Sequence, residues 1–337
     1  MENPLVAGVL VALLVPFLGN TLGAALVLFA RHGMSERFTK ALLGFAAGVM
    51  IAASVWSLIT PALEAAEGGP VPAWAPAAVG FLGGMLLLLV IDHFTPHLHV
   101  GSDEPEGPAS TLKKPTMMLA ALAIHNLPEG MAVGVVLAGF LAGDPTITLA
   151  SVTALSVGIA IQNVPEGAIV SLPLATNGLS RPRAFLAGTL CGAVEPAGAA
   201  IMVAITGLVT PLLPVVLAFA AGAMMYVVTE ELIPQTQQGR HTNIGTIGVA
   251  FGFVLMMVLD VALGEGRSRT LLTGVGAAGG GAFDEARIAR DDVIEAQAPG
   301  QMAHVGKPVA RQHAGGHVAA QAALADEAHG QRGIQLV

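Results

Sequence analysis

Eight long apolar runs dominate the chain and leave it few folds to choose from. They cover roughly 4–30, 40–63, 73–98, 116–143, 146–173, 183–208, 211–234 and 244–264. Each is near or above the roughly 20 residues that an α-helix needs to cross the hydrocarbon core of a bilayer. In lipid, every backbone N–H and C=O must find a partner inside the protein, so such runs predict helices rather than open strands. Composition agrees, because only 11 % of the residues are charged, against about 25 % in soluble domains. The expectation is an all-α polytopic membrane protein with eight transmembrane helices, embedded in a lipid bilayer. A formal net charge of −8 excludes a basic surface for nucleic acid, and the single cysteine, Cys191, excludes an intramolecular disulfide. The first run lacks a positively charged start and is too long for the apolar core of a secretory signal, so it reads as a retained helix.

Loop charge predicts orientation. Before residue 264 the basic residues are Arg31, Arg37, Lys40, Lys113, Lys114, Arg181, Arg183 and Arg240, and all fall in the first, third, fifth or seventh loop. Cytoplasmic loops collect Lys and Arg, so the odd loops are expected in the cytoplasm and both termini outside. Residues 1–264 thus form the membrane domain. The stretch 265–337 is rich in Ala and Gly, carries mixed charge and shows no apolar period, so it is expected to be a disordered outer tail.

Against this apolar background the fourth run carries "IHNLPEGMAV" (124–133), and the fifth nearly repeats it as "IQNVPEGAIV" (161–170). Ionisable groups at bilayer depth are costly and mark functional sites by default. His125 and Glu129 are four residues apart and share one helical face, with Asn126 beside them. The fifth run supplies Gln162, Asn163 and Glu166, and the sixth adds Glu195 in "VEPAGA". The fourth and fifth spans are antiparallel with a short loop, which lets the two motifs meet near the midplane. Pro128 and Pro165 each remove a helical hydrogen bond, so the helices are expected to break there, as substrate-binding helices of transporters do. Three carboxylates with an imidazole and amide oxygens suit a divalent first-row cation such as Zn²⁺, Fe²⁺ or Mn²⁺. The competing structural reading makes Glu129 a protonated residue and Asn126 a polar tie between helices.

Two further groups are weaker. Met50 lies in an apolar helix, where methionine ordinarily packs. Asp92, His93, His97 and His99 cluster at the inner end of the third run, and Glu230, Glu231 and His241 at that of the seventh. Histidines and carboxylates at one membrane face could receive a departing cation, or could be ordinary interfacial polarity.

On "HNLPEG", "QNVPEG" and "VEPAGA" the sequence resembles the ZIP (Zrt/Irt-like) metal transporter family over about 1–264, and most closely its bacterial GufA-like branch. The resemblance implies eight helices in a 3+2+3 arrangement with inverted repeats, both termini outside a bacterial inner membrane, and a homodimer as one assembly. It implies uptake of Zn²⁺, and variably Fe²⁺, Mn²⁺ or Cd²⁺, as substrate with no organic cofactor. By the family pattern the metal site comprises His125, Asn126, Glu129, Gln162, Asn163, Glu166 and Glu195, with Met50 reaching it from the second span. The same pattern makes Asp92, His97, His99, Glu231 and His241 a secondary cytoplasmic exit site. Two departures stand out: Gln162 where many members have histidine, and Asn163 where some have aspartate.

The rival readings are a channel-like pore and an intramembrane metalloprotease. The latter wants H-E-x-x-H, whereas His125 is followed by Asn126 with no second histidine within a turn.

Overall fold

Eight helices long and apolar enough to cross a membrane form where the apolar runs lie. The computed structural model describes residues 4–30, 33–98, 106–176, 178–239 and 242–263. The expected tail, 265–337, lies outside the described residues. The helices are α1 (Pro4–Phe29), α2 (Glu36–Ala65), α3 (Trp74–Phe94), α4 (Lys114–Leu141), α5 (Leu149–Thr176), α6 (Arg181–Ala204), α7 (Thr206–Gln237) and α8 (Ile244–Leu263). Large apolar side chains such as Leu22, Leu82 and Phe251 are exposed, as a lipid-facing surface requires.

Local chemistry sets the ends, and in three places it moves them from the hydropathy limits. Ser35 is extended and its hydroxyl accepts from the Phe38 N–H at 3.3 Å, so the cap starts α2 at Glu36 rather than near residue 40. Thr95 precedes a proline and is extended, with φ −103° and ψ 122°. That steric restriction ends α3 at Phe94, short of the expected residue 98. The turn from α6 to α7 falls at Ile205 (φ −98°, ψ 23°), upstream of the proline at 211 that hydropathy marks.

The expected breaks at Pro128 and Pro165 are not found. Both prolines lie inside continuous helices. A proline deletes one hydrogen bond, and the rest of a buried 28-residue helix holds the turn together. The irregularities sit elsewhere. Ser54–Ile59 of α2 and Val228–Leu232 of α7 are π-helical, and α6 is interrupted at Ala193 between Arg181–Gly192 and Val194–Ala204. Such π turns occur frequently at functional sites.

Glycine determines which helices touch backbone to backbone. Gly23 faces the backbone of Val164, and Gly167 that of Asn20, locking α1 to α5. Gly130 and Gly134 face the backbone of Glu195 and Ala199, locking α4 to α6. Gly192 of α6 abuts the Asn20 side chain, whose amide donates to Gly188 O at 2.9 Å. Separately, Gly48 and Gly252 lock α2 to α8, while Gly84 and Gly222 lock α3 to α7. Close approach through small residues is the main route to tight helix packing in lipid. Between α1/α4/α5/α6 and the remaining helices, the glycine contacts among the described residues are with side chains instead. Gly158 of α5 meets the Met256 thioether, and Gly139 of α4 meets Leu213.

Candidate functional site

The two repeated motifs and the start of the second half of α6 converge on one polar group. His125, Asn126, Glu129, Gln162, Asn163 and Glu195 are all buried, and Glu166 is half-buried on α5. Helical periodicity explains the set. His125 and Glu129 are one turn apart on α4, and Gln162 and Glu166 repeat the spacing on α5. Glu195 is delivered by the restart of α6 after Ala193.

Amide donors and carboxylate acceptors knit the group. Gln162 Nε2 donates to Glu129 Oε1 and, at 3.1 Å, to Asn163 Oδ1. Asn163 Nδ2 donates to Glu195 Oε2 at 2.7 Å and to the Pro16 carbonyl of α1 at 3.3 Å. Asn126 Nδ2 donates to Cys191 O at 3.1 Å, tying α4 to α6. These bonds use the donors and leave acceptors over. Glu129 Oε2, Gln162 Oε1, Glu195 Oε1 and Asn126 Oδ1 are buried without a hydrogen-bond partner. Buried polar atoms are ordinarily paired, so four stranded oxygens of one chemical kind in one place need an explanation. An array of buried oxygen acceptors fits a divalent cation and offers an anion no donor.

The expected exit group divides. Asp92 and His97 do come together, with His97 Nε2 3.0 Å from Asp92 Oδ1. Tyr226 OH donates to Asp92 Oδ2 at 3.1 Å. His99 and His241 lie outside the described residues. Glu231 lines one pocket with Asp92 and His125. It pairs with His125, Oε2 against Nε2, while its Oε1 accepts from Gln235 Nε2 at 3.0 Å. The cause is the π turn Val228–Leu232, whose widened backbone carries the residue; hydropathy carries no signal for such a turn. Met50 is fully buried in the larger apolar cluster with Leu155 and Met224.

Two carboxylates escaped the sequence reading. Glu106, in the loop before α4, pairs its backbone with His97 (N to O 3.1 and 2.9 Å). Its carboxylate comes within 4.8 Å of ligand atoms of both Asp92 and His97. The available signal was the following glycine, Gly107, which turns the chain with φ +78°. Asp260, near the end of α8, accepts from Ser57 Oγ at 2.8 and 3.0 Å. As a lone acid in an apolar helix it was visible to the rule that flagged Glu129.

The sequence that builds this site has counterparts in known proteins. The family model described as ZIP Zinc transporter matches residues 108–260, which span every polar side chain of the central group. The chain is 43 % identical over 253 residues to zinc transporter ZIPB of Bordetella bronchiseptica, covering 74 % of this chain and 79 % of that protein. The chain belongs to the ZIP family. Two more relatives widen the range. Zinc transporter GufA of Myxococcus xanthus is 37 % identical over 259 residues, covering 76 % of this chain and 98 % of GufA. Human zinc transporter ZIP11 is 35 % identical over 326 residues, covering 73 % of this chain and 94 % of ZIP11. The GufA-like branch is therefore represented among the ZIP relatives, and ZIP membership makes the chain a transporter rather than an enzyme.

Proposed function

We propose that this ZIP protein carries Zn²⁺, and other divalent first-row cations less well, across the cytoplasmic membrane of a bacterium into the cell. The observation that carries the proposal is the set of four buried, partnerless acceptor oxygens among Glu129, Gln162, Glu195 and Asn126. A divalent cation supplies the partner that these oxygens lack. His125, Glu129, Gln162 and Glu166 are the proposed first ligands, with Glu195 and the two asparagines supporting them. The three relatives are all zinc transporters by name, which favours zinc as the cargo.

The two kinds of helix contact support alternating access. The α1/α4/α5/α6 group is locked internally by glycine against backbone, whereas side chains line its boundary with α2, α3, α7 and α8. Side-chain contacts can slide and re-form where backbone-to-backbone contacts cannot, so the first group is the part expected to rock around the ion. Placing the basic loops inside sets both termini outside and directs release toward Asp92, His97 and Glu106.

Reconstituted vesicles test this directly. Zn²⁺ uptake should saturate with external zinc, and Glu129→Ala should abolish it while leaving the protein folded and monodisperse. Uptake by the alanine variant equal to the parent's would refute the assignment. Flux linear in zinc to high concentration would make the protein a pore.

A further inference from the structure

Helix α1 supplies none of the residues expected to hold the ion, yet two of its residues, one turn apart, act on those that do. The Pro16 carbonyl accepts from Asn163 Nδ2, the same atom that donates to Glu195 Oε2 at 2.7 Å. Asn20 reaches α6 itself. Its side chain is buried, and its Nδ2 donates to Gly188 O at 2.9 Å. The amide is wedged where glycines of two helices leave room for it. A side chain on Gly192 would overlap Asn20 Nδ2, and a Cβ on Gly167 would lie 3.0 Å from Asn20 Oδ1. Gly188 itself faces Ala24 of α1 and Ser171 of α5. Both sides of the wedge lead to a carboxylate. Gly167 directly follows Glu166, and Gly192 ends the first half of α6, just before the restart that delivers Glu195. Glu195 therefore hangs from a helix end that Asn20 fastens to α1. A side chain that inserts among the backbone bonds of a helix is one of the recognised causes of a kink, and the break at Ala193 falls just beyond the carbonyl that Asn20 engages.

We propose that Asn20 is a positioning residue for the ion site. Its amide sets where Glu195 stands relative to Glu166, and through that spacing it favours Zn²⁺ over Mn²⁺. Zn²⁺ takes four close ligands in a tetrahedron, so it loses heavily when one carboxylate is out of place. Mn²⁺ prefers an octahedron of oxygens, which water can complete when a carboxylate shifts. The positioning role rests on the transport reading above.

Leucine is the most informative replacement, because it keeps the branched bulk in the wedge and has no donor. Asn20 Oδ1 is buried without a hydrogen-bond partner. Asn20→Leu thus removes one bond and one stranded acceptor together, and should leave the Tm of the metal-free protein nearly unchanged. Zn²⁺ and Mn²⁺ dissociation constants are measured on the full chain in detergent for the parent, Asn20→Leu and Leu22→Ala, an exposed control on the same helix. Removing an outer partner of a metal ligand weakens binding by about 10–100-fold, so Asn20→Leu should weaken Zn²⁺ by at least about tenfold and Mn²⁺ by less than about threefold. Gly192→Ala pushes the same amide from the α6 side. It should move the Zn²⁺-to-Mn²⁺ ratio in the same direction, and it carries the test if the leucine variant does not fold. A packing role alone would reduce the amount of folded protein and leave the ratio of the two constants as it was. An unchanged ratio in a folded variant therefore overturns the proposal, as does an equal shift in Leu22→Ala or the failure of both wedge variants to fold. A parent that binds no zinc fails the transport reading itself, and the positioning role with it.

Discussion

Replacing Asn163 by aspartate isolates what one amide does for the site. Asn163 Nδ2 donates to Glu195 Oε2 at 2.7 Å, and a hydrogen bond to a charged group contributes about 1.5–3 kcal/mol. Aspartate has nothing to donate there and sets a second carboxylate against the first. Two unit charges 4 Å apart repel by about 4 kcal/mol at an effective dielectric near 20. The side chains can swing apart, so a net loss of about 4 kcal/mol is the reasonable sum. Each kcal/mol moves the Tm of a domain this large by about 2–4 °C, so the metal-free variant should melt about 10 °C below the parent. In Asn163→Asp, a divalent cation between the introduced carboxylate and Glu195 turns the repulsion into attraction. Saturating Zn²⁺ should therefore raise the variant's Tm by more than the parent's; a ligand at a hundred times its Kd adds about 2.7 kcal/mol. The melt can be followed by the fluorescence of the two tryptophans in detergent, with chelator or zinc, alongside metal per chain by mass spectrometry. An unchanged Tm in chelator, or equal zinc-induced shifts in the two proteins, would refute the role given to the Asn163 amide.

Two other perturbations probe the cargo and the packing. Gln162→His exchanges an amide oxygen for an imidazole nitrogen beside Glu129, which should shift competitive uptake toward Zn²⁺ over Mn²⁺ by about an order of magnitude; an unchanged ratio would remove Gln162 from the ligand set. Gly23→Leu drives a side chain into the backbone of Val164 and should cost at least about 1–3 kcal/mol. Gly83→Ala, whose added carbon would lie at an ordinary 3.5 Å from Phe219, should stay within about 0.5 kcal/mol of the parent. Equal melting of the two glycine variants would argue against the locked α1–α5 contact.

The helices were legible because lipid imposes a coarse rule: about 20 apolar residues make a span, and all eight spans are present among the described residues. The central group was legible for the complementary reason, since His125, Glu129, Gln162 and Glu195 are conspicuous where hydrocarbon is the solvent. Backbone events of a single turn left no such mark. Pro128 and Pro165 carry the strongest breaking signal, and yet α4 and α5 run straight through them. The irregular turns occur at "SVWSLI" and "VTEEL", which carry no glycine or proline. Position in the chain placed Glu231 with Asp92, whose pocket it lines, but gave no sign that the π turn would also pair it with His125. Asp260 shows the opposite failure: its signal was present and its partner, Ser57, lies 203 residues away, beyond any local pattern.

The stranded oxygens bear on one question, which is how binding could be converted into movement. A neutral cargo, or water, could satisfy Glu129 Oε2 and Glu195 Oε1 by donating hydrogen bonds, but each donor would serve these oxygens one at a time. A divalent cation takes several oxygen ligands at once and draws the carboxylates of α4, α5 and α6 together, reinforcing a group already locked by glycine. On this reading the bound ion tightens the body that moves, so movement as one unit is favoured when cargo is aboard. The size of that bias is bounded by the difference in the ion's affinity for the two positions.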